Sequence, residues 1–386
     1  MKLERVKLMD ICEYESRRIK TDILTTANYI STENMQPNRK GVVHANSLPT
    51  VGLVTKFEKS QILISNIRPY FKKIWMAKFD GGCSNDILCF KLKDKDKVDS
   101  RYFYYLLSQD SFFDYVMSGS KGTKMPRGDR SQILNFEFDL PSIKEQERIA
   151  AILGALDDKI ELNNIINKNL EEQASALFKH WFVDFEFPDA NGKPYKSSGG
   201  AFKDSELGPI PSDWKVQKFG NYVIPKKGKN ITRSDVKIGN IPVIAGGITP
   251  SCFHNKANTI APVITVSASG ANAGYVWLHN YPVWSSDSSY IDKSITDNVY
   301  FSYLFLKKNQ SQITHKQQGC AQPHIYPSHL MELDFIYPFD DLIKQFNHYC
   351  ESIFNQMRIN KDENNCLAYL RDSLLPKLVS NDKVIR

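Results

Sequence analysis

A spacing of alternately four and three residues between mostly apolar side chains runs through residues 149–181 and recurs 197 residues later. A heptad seam that persists for more than four heptads predicts a coiled coil. A helix of about 35 residues is about 50 Å long, which is too long for an ordinary domain core. Pro376 is expected to end or kink the second helix. The seam positions are Ile149, Leu153, Leu156, Ile160, Asn163, Asn167, Leu170, Ala174, Leu177 and Trp181, then Phe346, Cys350, Ile353, Met357, Asn360, Asn364, Leu367, Arg371, Leu374 and Leu378.

The repeat continues upstream of both helices. Three pairs of segments match at nearly the same offset: "YFYYLL" (102–107) with "YFSYLF" (300–305), "GTKMP" (122–126) with "GCAQP" (319–323), and "ILNFEFDLP" (133–141) with "LMELDFIYP" (330–338). The chain is therefore one unit written twice, a strand-rich domain followed by a long helix. We predict an α+β fold in which the two helices form an antiparallel coiled coil with internal pseudo-two-fold symmetry.

Asparagines occupy the same two seam positions in both helices: Asn163 and Asn167 in the first, Asn360 and Asn364 in the second. A buried asparagine in a coiled coil lowers stability unless another asparagine meets it, so it excludes slipped alignments. An antiparallel register in which paired residue numbers add to about 527 joins both asparagine pairs and leaves Arg371 opposite an apolar residue, Leu156. The alternative is that the asparagines are tolerated polar residues on a partly hydrated helix.

The net charge of +7 is concentrated in two blocks. Residues 1–140 carry a net charge of +6 and residues 208–337 one of +5, whereas residues 141–187 carry −4. Two basic blocks separated by an acidic one indicate two contacts with a polyanion.

Loops within the basic blocks supply candidate nucleic-acid contacts. Lysine and arginine can follow a phosphate backbone, whereas Asn, Gln and Arg can pair with base edges. The alternative is that these loops are solvated turns. The candidates are Arg68, Lys72, Lys73, Lys121, Lys124, Arg127 and Arg130 in the first block, and Lys226, Lys227, Lys229, Asn230, Arg233, Asn272, Lys316, Gln317 and Gln322 in the second.

Catalytic signatures are missing from the sequence, which holds no GxGxxG, P-loop or HExxH motif. The seven cysteines form no CxxC pair, so reduced thiols are expected and a metal site is not. The N-terminus lacks the apolar region of a signal peptide, and no uncharged apolar run approaches the roughly 18 residues of a membrane span. A cytoplasmic binding protein without membrane contact or a catalytic centre is expected.

Two stretches of the chain resemble the specificity (S) subunit of Type I restriction–modification systems: "LPSIKEQERIAAILGALDDKIELNNIINKNLEEQASALFKHWFVDF" (140–185) and "SELGPIPSDWKV" (205–216). Their shared features are a P-x-x-x-E-Q-x-x-I-A helix start, a D-x-K-I core and a G-x-I-P-x-x-W entry to the second half. The resemblance implies that each domain recognises one part of a split double-stranded DNA target. The implied parts are target-recognition domains 1–140 and 208–337, a central spacer helix 141–187, a linker 188–207, and a distal spacer helix and tail 338–386.

The resemblance also implies partner subunits. Two methyltransferase (M) subunits would bind S-adenosylmethionine and methylate adenine N6, and restriction (R) subunits would use ATP and Mg²⁺, so this chain would hold no cofactor. Ser142 and Glu145 form a capping-box pattern, and together with Gln146 they are candidate partner contacts. The second helix start lacks the Glu-Gln pair, so M-subunit binding is expected to be less symmetric than the repeat.

Competing hypotheses are a coiled-coil assembly scaffold without base recognition and an enzyme with an unrecognised centre.

Overall fold

The computed structural model describes residues 4–316 and 324–379. Packing divides the chain into two compact units: unit 1 comprises Met1–Leu162 and Glu363–Arg386, and unit 2 comprises Asn163–Asp362. The division falls inside each long helix, because each half-helix packs with one globular core. The domain boundaries predicted from the sequence, which follow the changes between strands, helix and linker, stay predictions.

Residues 4–182 form strands and short helices that lead into the first long helix. The elements are β1 (Glu4–Lys7), α1 (Leu8–Ile11), β2 (Cys12–Tyr14), β3 (Arg18–Lys20), β4 (Tyr29–Ile30), β5 (Leu53–Phe57), β6 (Ile62–Ser65), β7 (Ile74–Met76), β8 (Gly81–Cys83), β9 (Ile87–Leu92), α2 (Ser100–Leu107), α3 (Asp110–Ser118), α4 (Arg130–Leu134), β10 (Glu137–Leu140) and α5 (Ile143–Phe182). One sheet has the order β2–β9–β6–β7, a second has the order β3–β5–β8–β4, and β1 pairs with β10.

The second half of the chain repeats this plan. Its elements are β11 (Phe202–Lys203), β12 (Ile210–Pro211), β13 (Lys215–Lys218), β14 (Lys226–Lys227), β15 (Ile241–Ile244), β16 (Cys252–His254), β17 (Val263–Ser267), β18 (Val276–His279), β19 (Trp284–Ser285), β20 (Ser288–Asp292), α6 (Val299–Lys308), α7 (Gln310–His315), α8 (Pro327–Met331), β21 (Asp334–Tyr337) and α9 (Asp340–Val379). The sheets have the orders β14–β20–β17–β18 and β16–β15–β19, and β13 pairs with β21.

The strand orders confirm the duplication. The four-stranded sheet that contains β6 and the one that contains β17 are each antiparallel throughout. Their equivalent strands follow the same spatial order, β2–β9–β6–β7 and β14–β20–β17–β18. β6 and β17 are central and fully buried, as expected for runs rich in β-branched residues. Each half also closes with a ladder between an early strand and its last strand, β1 with β10 and β13 with β21.

The long helices contain 40 residues each, and their last residues, Phe182 and Val379, are 197 positions apart. At 1.5 Å per residue each helix is about 60 Å long. α9 continues through Pro376, so the expectation that this proline would end the helix is wrong. The last turn is held in place because Leu375, Leu378 and Val379 pack into the core of unit 1.

In unit 1, the first half of α5 packs against the second half of α9. Ile149 and Leu153 of α5 share one hydrophobic core with Leu375 and Leu378 of α9. The beginning of one helix therefore lies beside the end of the other, and the pairing within this unit is antiparallel.

In unit 2, the second half of α5 packs against the first half of α9. Asn360 Nδ2 donates to Asn167 Oδ1 at 2.8 Å, and the ring centroids of Trp181 and Phe346 are 5.7 Å apart. The residue numbers of each pair add to 527, so both contacts match the predicted register. The second asparagine pair, and the role of all four asparagines in setting the register, stay predictions.

Arg371, the one charged residue among the twenty seam positions, is neutralised within unit 1. Its Nη1 donates to Asp157 Oδ1 at 2.7 Å, so its charged group faces this carboxylate rather than Leu156. The Tyr105 hydroxyl donates to Asp157 Oδ2, also at 2.7 Å. Arg371 also donates to Asp372 Oδ1 from Nε and Nη2 at 2.9 and 2.8 Å. The side chains of Arg371 and Asp157 are only 16% and 25% exposed, so the mostly buried charge of Asp157 depends on Arg371 for compensation.

Replacing Arg371 with leucine is expected to lower the free energy of unfolding of unit 1 by about 2–4 kcal/mol, because Asp157 keeps a mostly buried charge without its cation. Denaturant titration followed by hydrogen exchange of unit 1 peptides measures this change. Combining the substitution with Asp157→Asn removes the charge and keeps an acceptor for Tyr105. The double variant should therefore regain most of the free energy of unfolding that the single variant loses. A double variant as unstable as the single one would show that Arg371 acts through packing alone.

Gln146 joins the start of α5 to the globular core of unit 1. Its side chain is fully buried, and Nε2 donates to the carbonyls of Lys97 and Pro141 at 3.0 and 2.9 Å. Its Oε1 accepts from the N–H of Asp99, the N-cap of α2, at 3.0 Å. The prediction that Gln146 contacts a partner subunit is wrong, because its side chain is enclosed and its hydrogen bonds are internal.

The α5 helix begins where the capping pattern places it. The N–H groups of Glu145 and Gln146 donate to the Ser142 carbonyl at 2.9 and 3.0 Å. The Glu145 carboxylate accepts from Arg148 Nε at 2.9 Å, and hydrogen bonding from Arg148 lowers the pKa of Glu145. Neither side-chain half of the predicted capping box forms: the first-turn N–H groups bond to the Ser142 carbonyl instead of its hydroxyl, and Arg148 engages the Glu145 carboxylate. Ser142 and Glu145 remain candidate partner contacts.

Asn347 has the corresponding role in unit 2. Its Oδ1 accepts from the N–H groups of Tyr300 and Phe301 at 3.0 and 3.3 Å, and its Nδ2 donates to the Asp297 carbonyl at 3.2 Å. The residue lies one turn further along its helix than the position that aligns with Gln146. The second helix start therefore has an amide anchor even though it lacks the Glu-Gln pair.

The segment predicted as a linker, 188–207, is ordered and packs on unit 2. Its strand β11 pairs with β12. The Phe187 ring, just before it, stacks on Tyr195 and on Trp214, with centroid distances of 4.6 and 4.9 Å. The aromatic residues in and around the segment hold it on the core despite its Pro, Gly and Ser content.

Candidate nucleic-acid interface

In the first half, the loop before the long helix packs against the turn that follows β6. Arg127 forms an isolated antiparallel bridge with Ile67, and the N–H of Arg68 donates to the Pro126 carbonyl at 2.8 Å. The loop also closes on itself, because the N–H and carbonyl of Arg127 bond to the backbone of Lys121 at 3.0 and 2.9 Å. The backbone around Arg127 is thus held from two sides.

Cationic side chains project from this loop. Arg127 Nη2 lies 3.2 Å from Asp86 Oδ1, and Lys121 Nζ lies 3.0 Å from Asp129 Oδ2. Hydrogen bonding from Lys121 lowers the pKa of Asp129. Lys124 is exposed between the two bridged positions and makes no hydrogen bond or ion pair with any residue that the structure describes.

Arg130 extends the same surface. Its Nη2 donates to the Asn85 carbonyl at 2.9 Å, and its guanidinium carbon lies 5.9 Å from the centroid of the Tyr14 ring. Arg18 Nη1 donates to Asn85 Oδ1 at 2.9 Å. The side chains that meet here come from β3, the segment before β9 and the first residue of α4, so one basic surface gathers distant parts of the chain. We call the surface formed by Arg18, Lys121, Lys124, Arg127 and Arg130 the first-half basic surface. Arg68 is half-buried and its Nε is buried, so only its backbone contact with the loop is shown.

In the second half, lysines lie on an edge strand. Lys226 and Lys227 are exposed on β14, the outer strand of its sheet. The N–H of Lys229 donates to the Ser285 carbonyl at 2.9 Å, and the Lys229 carbonyl accepts from Trp284 Nε1 at 2.7 Å. The loop is thus anchored while its lysine side chains face solvent, and two predicted contacts, Asn230 and Arg233, follow as exposed residues.

The second half also repeats the bridge between loop and sheet. Ser269, two residues after the end of β17, pairs with His324, and the N–H of Ile325 donates to the Ala268 carbonyl at 2.8 Å. The Ser269 hydroxyl donates to the Asp287 carboxylate. The same backbone bridge between loop and sheet therefore positions Arg127 in the first half and His324 in the second.

In the described part of the chain, neither α5, α9 nor any shorter helix has the apolar length needed to span a bilayer. Within residues 4–316 and 324–379, no group of three or more His, Cys, Asp and Glu side chains is placed to hold a metal ion.

Sequence comparison assigns the chain to a family. The family model described as the Type I restriction modification DNA specificity domain matches residues 2–172 and 211–368. The chain belongs to this specificity family. The two matches coincide with the two copies of the structural repeat, each including a globular half and much of its long helix.

Specificity subunits of Type I restriction enzymes are similar over most of the chain. The HindI subunit of Haemophilus influenzae is 24% identical and covers 97% of this chain and 98% of its own length. The MjaIX subunit of Methanocaldococcus jannaschii is 26% identical and covers 74% of this chain and 69% of its own length. The crystal structure of the Type I S subunit from M. genitalium, at 17% identity, covers 100% of this chain and 97% of its own with a TM-score of 0.58, which shows a shared fold.

Two lysines predicted as DNA contacts in this specificity-family chain have internal partners. Lys72 Nζ lies 2.8 Å from Asp110 Oδ1; although burial opposes it, hydrogen bonds from Lys72 and Arg39 lower the pKa of Asp110. Lys73 Nζ donates to the Thr32 carbonyl at 2.6 Å, and burial lowers its pKa. Both side chains hold the turn after β6 against neighbouring segments, which makes them weak candidates for phosphate contact.

The remaining second-half candidates are dispersed. Asn272 is exposed in the turn before β18. Lys316 Nζ lies 3.5 Å from Glu332 Oε2, so its charge is partly engaged. Gln317 and Gln322 lie outside the described residues.

Arg18 was missed by the sequence analysis. It belongs to the short basic run "SRRIK" (16–20), but its contact with Asn85 joins positions 67 residues apart. Linear charge counting could have marked the run as basic. Only the sheet, which brings β3 near the segment before β9, places it on the first-half basic surface.

Proposed function

We propose that the chain is the DNA-recognition subunit of a Type I restriction–modification complex. Each globular half recognises one half of a bipartite target, and the paired long helices set the gap between the halves. The observation that carries this proposal is the structural repeat. One sheet and one loop–sheet bridge recur in both halves, but the side chains at the bridge differ, Arg127 in the first half and His324 in the second. Two recognition surfaces of one design but different chemistry suit a target with two different half-sites.

The charge distribution supports DNA as the ligand. Lys124, Lys226 and Lys227 are exposed and suit phosphates, which give affinity that depends on salt but not on sequence. Arginine and asparagine side chains on the same loops can pair with base edges in the major groove. A helix of about 60 Å is long enough to hold two such surfaces one DNA turn, about 34 Å, or more apart.

The chemistry of methylation and cleavage belongs, in this proposal, to partner subunits. Two M subunits would carry S-adenosylmethionine, and R subunits would carry ATP and Mg²⁺, while this chain acts without a catalytic centre. The absence of familiar catalytic motifs from the sequence is compatible with that division of labour. Because the substrate is the host genome, we place the complex in the cytoplasm.

Selection from a random DNA pool by the assembled complex tests the function. A bipartite motif with a constant gap is the expected result, and mapping of adenine methylation with the chain present and deleted should recover the same motif. Enrichment without any motif would favour the alternative, a scaffold that joins subunits without recognising bases. Methyl transfer or cleavage by the purified chain alone would contradict its assignment as a non-catalytic subunit.

Lys124→Ala is expected to weaken binding to all sequences alike. Loss of one phosphate contact should reduce the slope of log K against log salt concentration by about 0.9. Titration of the complex with specific and unrelated DNA at several salt concentrations measures both quantities. Lys95→Ala, another exposed lysine of the first half that lies outside the first-half basic surface, is the matched control. An unchanged slope for Lys124→Ala would remove this residue from the interface.

A further inference from the structure

Arg127 and His324 occupy the same place in the two halves. Each pairs through its backbone with the segment just after the central strand, Arg127 with Ile67 and His324 with Ser269. The two positions are 197 residues apart, which is the offset of the long helices. The backbone is paired in the same way at both positions. A difference in the bases recognised there must therefore come from the side chains of Arg127 and His324.

The Arg127 side chain lies beside a carboxylate while it remains accessible. Its Nη2 lies 3.2 Å from Asp86 Oδ1 in an ion pair, and the side chain is 57% exposed. Asp86 is itself anchored, because its carbonyl accepts from the N–H of Asn66 at 2.8 Å, and the N–H of Gly128 donates to the Asn66 carbonyl at 3.3 Å. A guanidinium with a carboxylate on one side keeps its other donors available, and its planar fork loses less entropy per hydrogen bond than a flexible ammonium.

The neighbouring lysines differ from Arg127 in the shape of the charged group. Lys121 is 83% exposed and pairs with Asp129 across its own loop, and Lys124 projects from the hairpin between the bridged residues. Flexible ammonium groups act as point charges and suit phosphates, whereas a planar guanidinium suits bidentate recognition. The paired acceptors that arginine recognises on a base edge are O6 and N7 of guanine.

The second half lacks this arrangement. Asp287 directly precedes β20, as Asp86 directly precedes the equivalent strand β9, but it accepts from the Ser269 hydroxyl. His324 has no carboxylate partner among the described residues, and its ring stacks near Tyr326 at a centroid distance of 6.0 Å. An imidazole offers a single hydrogen bond on each ring nitrogen and cannot form the bidentate contact of arginine.

We infer that Arg127 is a base-recognising residue of the first half and selects a guanine, with Lys121 and Lys124 contacting the phosphates beside it. His324 occupies the corresponding place in the second half and imposes a different preference there. This inference rests on the proposed DNA-recognition function and adds the identity of one base and the residue that selects it.

The test is selection of DNA from a random pool by the assembled complex, followed by affinity measurements on single-base variants of the selected target. The wild-type complex should select a guanine in one half-site that Arg127→Ala no longer distinguishes, with a loss of discrimination of about 10- to 100-fold at that position only. Arg127→Lys should keep most of the overall affinity and still lose discrimination, since lysine does not reproduce the bidentate geometry. Lys124→Ala should keep the motif, and His324→Ala should change the other half-site alone.

The outcomes separate the inference from the function on which it rests. If Arg127→Ala and Arg127→Lys weaken all sequences equally and the guanine stays selected, Arg127 is a phosphate contact and the inference is overturned. If the wild-type complex selects no motif, the proposed function itself fails. If the guanine preference is lost in both Arg127 variants while the second half-site is unchanged, the assignment stands.

Discussion

Inserting four residues into each long helix, after Asn163 in α5 and after Glu363 in α9, is expected to lengthen the gap in the target by one to two base pairs. Four helical residues add about 6 Å, and one base pair of DNA about 3.4 Å. These insertion points leave the Asp157–Arg371 pair on one side and the Asn167–Asn360 pair on the other, so contacts within each unit stay matched. Binding to the original gap should fall by about 100-fold or more, because both half-sites can no longer be engaged together.

DNA selection by the complex that carries the lengthened helices measures the new gap, and the half-site sequences should be unchanged. The matched control is a four-residue insertion after Gly192, an exposed position with positive φ and open space around it. Insertions at such loop positions are usually tolerated. An unchanged gap preference after lengthening both helices would mean that they do not act as the spacer, even if each half still recognises its own half-site.

The sequence predicted the elements whose signals are periodic. The heptad seam identified both helices and an antiparallel register that the Asn167–Asn360 contact matches, because seam spacing and helix pairing obey the same geometry. The repeat of segments predicted two similar strand-rich halves, and the strand orders agree. In both cases the information is local or recurs at a constant offset, so one sequence is enough to reveal it.

Individual site residues were harder to predict, because charge alone does not reveal a partner. Lys73 lies in a basic cluster in the sequence, yet its ammonium bonds to the Thr32 carbonyl, 41 residues away. Lys72 likewise meets Asp110 of α3. Arg18 shows the opposite error, since it reaches the basic surface only through the sheet. Long-range pairing decides which cations remain available, and spacing along the chain does not encode it.

Gln146 illustrates how a motif can be recognised while its role is misassigned. The Glu-Gln pair at the start of α5 indicated a partner contact, but only Glu145 has a side chain that reaches the surface. The Gln146 amide bonds to two carbonyls and one N–H within unit 1. The glutamine therefore connects the long helix to the segment just before α2, and this connection keeps the start of the helix in place on its globular half.

Gln146→Leu is expected to lower the free energy of unfolding of unit 1 by about 3–5 kcal/mol. The substitution conserves much of the volume but leaves the Asp99 N–H and the carbonyls of Lys97 and Pro141 without their partner, and each buried unsatisfied group costs about 1–3 kcal/mol. Hydrogen exchange under increasing denaturant should show earlier exchange of unit 1 peptides and no change in unit 2. Glu147→Ala, a substitution of the exposed neighbour, is the matched control and should stay within about 0.5 kcal/mol of wild type.

Gln146→Glu distinguishes lost hydrogen bonds from lost packing, because it retains the shape of the side chain. Burial against two carbonyls disfavours the carboxylate, so its pKa should be higher in the folded protein than in the unfolded chain. The folded state then binds the proton more tightly, and the destabilisation should be smaller at pH 5 than at pH 8. Loss of stability that is the same at both pH values would contradict an enclosed, internally bonded Gln146 and would return this residue to the list of partner contacts.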